Sequence, residues 1–124
     1  MALNQVGAAV HERTSAAMLA AIRHADSAGV PTAWLTTGAG PDALMIFAAA
    51  SSVTQRIRMG TAIVPTFPRN PVVVAQQAAD LAMFMPGRFV LGVGPSHAPA
   101  VEGRHGIPYV RPLEHLREFI TIVR

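Results

Sequence analysis

The chain has 124 residues, 51% hydrophobic and 14% charged, a net charge of +3 and no cysteine. These proportions exclude a disordered chain and a disulfide framework, and the length fits one domain, residues 1–124, large enough to bury a core. All ten basic residues are arginines scattered from Arg13 to Arg124, so no nucleic-acid footprint is expected. The first ten residues lack a basic leader followed by an apolar run. No uncharged apolar stretch reaches the roughly 20 residues of a spanning helix, so a cytoplasmic protein without membrane contact is expected.

Leu3 to Val10 reads as a first strand, weakened by Asn4 and Gln5. Thr14 or Ser15 caps a helix to about Ala28, with Met18, Ile22 and Ala25 on one face and Arg23 and Asp26 on another, and Gly29 ends it. Thr32 to Thr37 is a β-branched and aromatic second strand, closed by Gly38-Ala39-Gly40-Pro41, with the hydroxyls of Thr36 and Thr37 at its end. Asp42 opens a second helix to about Thr54. It is apolar nearly all round, which predicts cover by a sheet on one side and by another helix or a subunit on the other.

Arg58 to Val64 is the third strand, followed by a loop from Pro65 to Arg69. Asn70 as N-cap and Pro71 at the first helical position start a helix that stops at Pro86-Gly87. The fourth strand, from Arg88 through the two glycines Gly92 and Gly94, is apolar enough to be buried on both faces. A long loop from Pro95 to about Arg111 follows. Pro112 then starts a last helix whose Leu113, Leu116, Ile120 and Val123 predict one inward face, with Glu114 suiting the helix dipole.

Four strand–helix units in succession predict an α/β fold with a parallel sheet. Such sheets bind ligands beyond the C-terminal ends of their strands, at Thr36, Thr37, the segment after Ala62, and Pro95 to His97. Gly92-x-Gly94 does not complete a dinucleotide fingerprint: His97 stands at the third glycine, Pro95 lacks an N–H, and no helix is expected to start there. From position alone, His97 reads either as an acid/base group or as a loop histidine bonded to backbone. Glu102 and His105 share its loop, but their spacing matches no ligand pattern and no metal is expected. His11, His24 and His115 read as surface positions. Of the aromatics that could stack on a ring, Phe67 in a loop is the better candidate and Trp34 reads as core.

Three stretches from Arg58 onward stand out: Gly60-Thr61-Ala62-Ile63-Val64-Pro65-Thr66-Phe67-Pro68-Arg69-Asn70-Pro71, Gln76-Gln77-Ala78, and the run from Gly87 to His97. Through them the chain resembles the luciferase-like monooxygenase superfamily, in particular its oxidoreductases that use the deazaflavin coenzyme F420. The helix from Thr14, with Ala25-Asp26-Ser27-Ala28-Gly29, and Trp34 are similar to the family's first helix and second strand.

This resemblance implies a β/α (TIM) barrel with the coenzyme, F420 or alternatively FMN, at the strand ends and a small-molecule substrate beside it. It implies a cis peptide at Ala62-Ile63 backing the ring, and ring contacts from Pro95 and Ser96. Thr36 and Thr37 stand where some members carry an Asp-His pair. His97 falls where several deazaflavin enzymes place a carboxylate proton donor, so it would handle the proton while hydride moves between substrate and coenzyme. The family's barrel has eight strands and this chain supplies four. A second reading is therefore a catalytically inactive half-barrel, a fragment that forms a homo-oligomer or pairs with a partner half through the apolar edges of its first and fourth strands.

Overall fold

The structure is a computed structural model and describes residues 6–124. Leu3 to Gln5 of the expected first strand lie outside the described residues. The elements are β1 (Ala8–Ala9), α1 (Ser15–Ser27), β2 (Thr32–Leu35), α2 (Ala43–Ser51), β3 (Arg58–Thr61), β4 (Val64–Pro65), α3 (Pro71–Phe84), β5 (Phe89–Val90), β6 (Val93–Gly94), α4 (Ala98–His105) and α5 (Pro112–Val123). Strands β1, β2, β3 and β5 pair in that order, all parallel, and β4 pairs with β6 in the same sense.

Alternation along the strands divides the two faces of the sheet. Ala33, Leu35 and Met59 are buried among Met18 and Ile22 of α1, Leu44 and Phe47 of α2, and Leu81 near the end of α3. Trp34 points to the opposite face, where it lies across bare backbone: a Cβ added to Gly60 would sit 2.3 Å from its ring. Any larger residue at Gly60 would therefore displace the indole. No helix among the described residues is long and apolar enough to cross a membrane.

The helix starts follow their capping residues. Thr14 accepts from Ala17 N at 3.2 Å, Asp42 accepts from Leu44 and Met45 N, and Asn70 accepts from Val72 N with Pro71 behind it. The apolar α2 lies between the sheet, α1 and α3, and of its large side chains Met45 is exposed. Its composition is thus satisfied within the chain and does not itself require a subunit.

Three sequence expectations need correction. The stretch from Pro95 to Arg111 holds a helix, α4, which starts directly after His97 as its N-cap. It has Pro99 in its first turn and Gly106 in the left-handed C-cap conformation (φ 65°), the usual asymmetry of a helix, but Gly103 in its middle and the lack of a side-chain cap obscure it. The third and fourth strands are each interrupted, at Ala62-Ile63 and at Leu91-Gly92. Finally, α5 is rotated. Phe119, its largest apolar side chain, is buried, and the packed stripe runs through His115, Leu116, Phe119, Ile120 and Val123, leaving Leu113 78% exposed. His115 is accordingly no surface residue; its ring stacks on Phe67 at 4.0 Å.

Asp26, at the end of α1, ties the helix layer to the loop before β3. Its carboxylate accepts from the backbone N–H groups of Gln55 (2.9 Å), Arg56 (3.0 Å) and Ile57 (2.7 Å). Burial, the largest single influence, raises its pKa, but the three N–H bonds and the Arg56 charge together outweigh it and hold the carboxyl below its ordinary value of 3.8. A lowered folded-state value means that this stabilisation is complete above the unfolded value and lost as pH falls through the folded one. Asp26→Asn is expected to cost on the order of 2 kcal/mol at neutral pH, measured by urea unfolding. The gap to wild type should close as pH falls below 3.8. A gap that persists unchanged in acid would contradict this account.

Candidate functional site

The interruption of the third and fourth strands builds the site. Below it, Met59 pairs with Phe89 and Gly60 with Val90; above it, Val64 pairs with Val93 and Pro65 with Gly94. The third strand thus uses four steps, Gly60 to Val64, where the fourth uses three, Val90 to Val93. One extra residue on one strand is a β-bulge, which shifts register by one and re-aims the side chains that follow. The Ala62–Ile63 peptide within it is cis, as the resemblance implied.

The bulge is pinned on both sides. Thr61 Oγ1 donates to Gly92 O at 2.7 Å and accepts from Gly92 N at 2.8 Å, so one hydroxyl satisfies Gly92 N and shares Gly92 O with Val64 N, which donates to it at 2.8 Å. A Cβ on Gly92 would lie 2.1 Å from Thr61 O, so only glycine allows this approach. From just past β2, Thr36 Oγ1 donates to Ala62 O at 3.0 Å and Thr37 N donates to Ile63 O at 3.2 Å. Thr37 Oγ1 in turn accepts from Ala43 N at 3.3 Å, coupling the bulge to the start of α2.

Above the strand ends lies a cleft of about 1040 Å³. Thr36, Thr37, Gly38 and Ala39 form one wall; Ile63, Pro65, Gly94 and Pro95 form an apolar floor. The side of α3 is made by Asn70, Val73, Val74 and Gln77, and the opposite rim by Ser96, His97 and the inner face of α4. Of the expected site residues, Thr36, Thr37, Ile63, Pro95, Ser96 and His97 are therefore brought together. Ala62 is exposed beside the cleft and outside its wall. Phe67 is not in the wall either, because its ring is held against His115 and Tyr109.

Ser96 adopts a left-handed backbone (φ 62°), which turns the chain sharply out of β6 and sets His97 exposed at the rim. The Ser96 hydroxyl lies 3.4 Å from His97 Nδ1. Tyr109, which sequence reasoning passed over, holds this turn: its hydroxyl donates to Ser96 O at 2.9 Å and its N–H to Glu102 Oε1 at 3.1 Å. Arg69, also unforeseen, lines the cleft while bonded to Asp42, the N-cap of α2. Gln77 Oε1 is buried with no protein partner and belongs to a residue of the wall. Among the described residues, no group of three His, Asp or Glu is placed to hold a metal.

The whole chain, residues 1–124, matches the family model described as luciferase-like monooxygenase. The chain belongs to this family. This luciferase-like chain is 38% identical over 91 residues to an F420-dependent glucose-6-phosphate dehydrogenase of Kribbella flavida, an alignment covering 70% of the chain and 27% of that relative. Its fold matches, with a TM-score of 0.85 and 20% identity, the oxygenating constituent of 3,6-diketocamphane monooxygenase from Pseudomonas putida, solved with FMN, over 95% of this chain and 38% of that one. An F420-dependent secondary alcohol dehydrogenase solved with an F420–acetone adduct gives a TM-score of 0.81 at 23% identity, over 94% of this chain and 39% of that one. The four βα units are thus part of a TIM-barrel architecture, and the luciferase-like chain spans well under half the length of these relatives.

Tyr109→Phe deletes one hydrogen bond and leaves the ring packing. It is expected to cost about 1 kcal/mol in unfolding experiments and to shift the His97 ring resonances in NMR spectra, because the Ser96 carbonyl loses its tether. Unchanged His97 resonances would show that Tyr109 does not position the turn.

Proposed function

We propose that the cleft binds the coenzyme of an oxidoreductase, F420 with FMN as the alternative, and that His97 exchanges the proton that accompanies hydride transfer to or from a small organic substrate. The observation that carries this reading is the bulge, which sets Ile63 beside Gly94 in a cleft that Pro95 and His97 also line. Family membership and the F420-dependent relative support it.

The residues present fit a flat polar-edged ring system. The Ile63 side chain packs over Gly94 and gives a ring an apolar surface to lie on, and the buried unpartnered Gln77 Oε1 offers an acceptor to a ligand donor. The volume lies at the upper end of the roughly 300–1,000 Å³ typical of small-molecule sites, enough for a coenzyme ring with a substrate beside it. A bound deazaflavin or flavin supplies the hydride chemistry. The chain's own part is to support and orient the ring through the floor, to fix the wall through Thr36 and Thr37, and to hold an imidazole over the ring. An imidazole both donates and accepts protons, which is the capacity this role asks of His97.

A second reading, association with a homologous copy or a partner half, is favoured by the edges of the sheet and by α3. Strands β1 and β5 each have a free side within the described residues, and Val72, Met83 and Phe84 expose apolar surface on α3 away from the cleft wall. Coenzyme binding and association are compatible, and we propose a homo-oligomer or paired half-barrel as the form that carries the cleft. The cysteine-free sequence suits a reducing cytoplasm, where we place the protein.

Fluorescence titration with F420 and with FMN, combined with the mass in solution, tests this reading. Saturable binding of one of them is expected. In an active preparation, His97→Gln should lower turnover by about 10²–10⁴-fold while weakening coenzyme binding far less. A monomer that binds neither coenzyme, or a His97→Gln variant with unchanged turnover, would sink it.

A further inference from the structure

One face of α4 runs along the cleft. His97, Ala100, Val101, Arg104 and His105 line it at helical spacing, while Pro99, Glu102 and Gly103 of the same helix are exposed and outside the wall. Polarity changes along this face. Ala100 and Val101 stand next to His97 and the strand end, and Arg104 and His105 follow one turn further out. At 1.5 Å per residue, the two basic residues lie about 10–12 Å along the helix from His97.

The charge of the cleft is one-sided. Its ionisable lining residues are His97, His105, Arg69 and Arg104, with no carboxylate among them. The two nearby acids are engaged elsewhere. Asp42 is bonded to Arg69 and caps α2, which offsets Arg69. Glu102 accepts from Tyr109 N and lines a separate hollow with Gly106, Ile107 and Pro108. Arg104 has no carboxylate partner among the described residues. A concave wall carrying an arginine without a counter-charge attracts an anion, and the planar guanidinium fits a carboxylate or phosphate through paired hydrogen bonds.

We propose that the substrate of this cleft carries a carboxylate or phosphate group that seats on Arg104 with His105 beside it, and an apolar reacting part that lies against Ala100 and Val101 next to His97. The inference rests on the coenzyme-site reading above and adds the chemical class of the substrate. An anionic tail of the coenzyme could bring the same chemistry. The wall favours the substrate, because the basic end continues from His97 along α4 and the floor that suits the ring lies on the strand side.

The test uses the whole chain and inorganic phosphate as probe. Phosphate is expected to shift the His105 ring resonances saturably in NMR spectra, and Arg104→Gln should weaken that binding at least about fivefold while Arg104→Lys, which keeps the charge, recovers part of it. F420 and FMN affinities, read by fluorescence on the same proteins, should stay within about twofold, since the seat belongs to the substrate. Phosphate binding that is absent from wild type, or unchanged in Arg104→Gln, overturns the proposal. Parallel loss of phosphate and coenzyme affinity in Arg104→Gln also overturns it, by assigning the seat to the coenzyme. If wild type binds phosphate through Arg104 but neither coenzyme, the coenzyme reading fails while the anion seat stands.

Discussion

The cleft depends on one hydroxyl. Thr61 Oγ1 bonds both the N–H and the carbonyl of Gly92, and it does so where the third and fourth strands leave one hydrogen-bonded register and enter another. Without it, Gly92 N would lose its partner at the junction, at a cost on the order of 1–3 kcal/mol if buried, while Gly92 O would keep only the bond from Val64 N. With it, the extra residue of the third strand is accommodated, β4 and β6 re-pair above it, and Ile63 is set beside Gly94. The floor, the outward turn at Ser96 and the rim position of His97 all follow from that re-pairing. Thr36 and Thr37 reinforce it from the neighbouring strand, so their hydroxyls brace the wall that they line.

Much of the fold was legible because its signals are local. Thr14, Asp42 and Asn70 each announce a helix start through a side chain that accepts from backbone N–H groups within three residues, and Pro71 adds its fixed φ. Strand–helix alternation is likewise read along the chain, and it is enough to give parallel order. What escaped depends on partners far away in sequence or on weak local preference. The bulge is a difference in step count between two strands, about 30 residues apart, and nothing in Gly60 to Val64 alone declares it. Helix α4 was hidden by Gly103 and by an N-cap, His97, that makes no capping bond. In α5 the regular spacing of Leu113 misled, because Phe119 has more surface to bury and set the rotation.

The same division holds for the site. Residues at strand ends could be named, because a parallel sheet presents its chemistry there whatever the details of packing. Six of them do line one cleft. Tyr109 could not be named, since its tether to Ser96 spans thirteen residues and a helix that was read as loop. Arg104 and His105 become neighbours of the cleft only once α4 is helical, when positions seven and eight beyond His97 return to the same face. Arg69 needed Asp42, from the other side of β3, to fix it at the wall.

The central claim is that the bulge-built floor is the coenzyme site. Methyl NMR of isotope-labelled protein titrated with F420, and separately with FMN, addresses it most directly. The account predicts saturable shifts at Ile63, Val73, Val74 and Val101, which surround the cleft, with Met83 on the outside of α3 unmoved. Shifts confined to Met83 and its exposed neighbours, with Ile63 unaffected at saturating coenzyme, would contradict it.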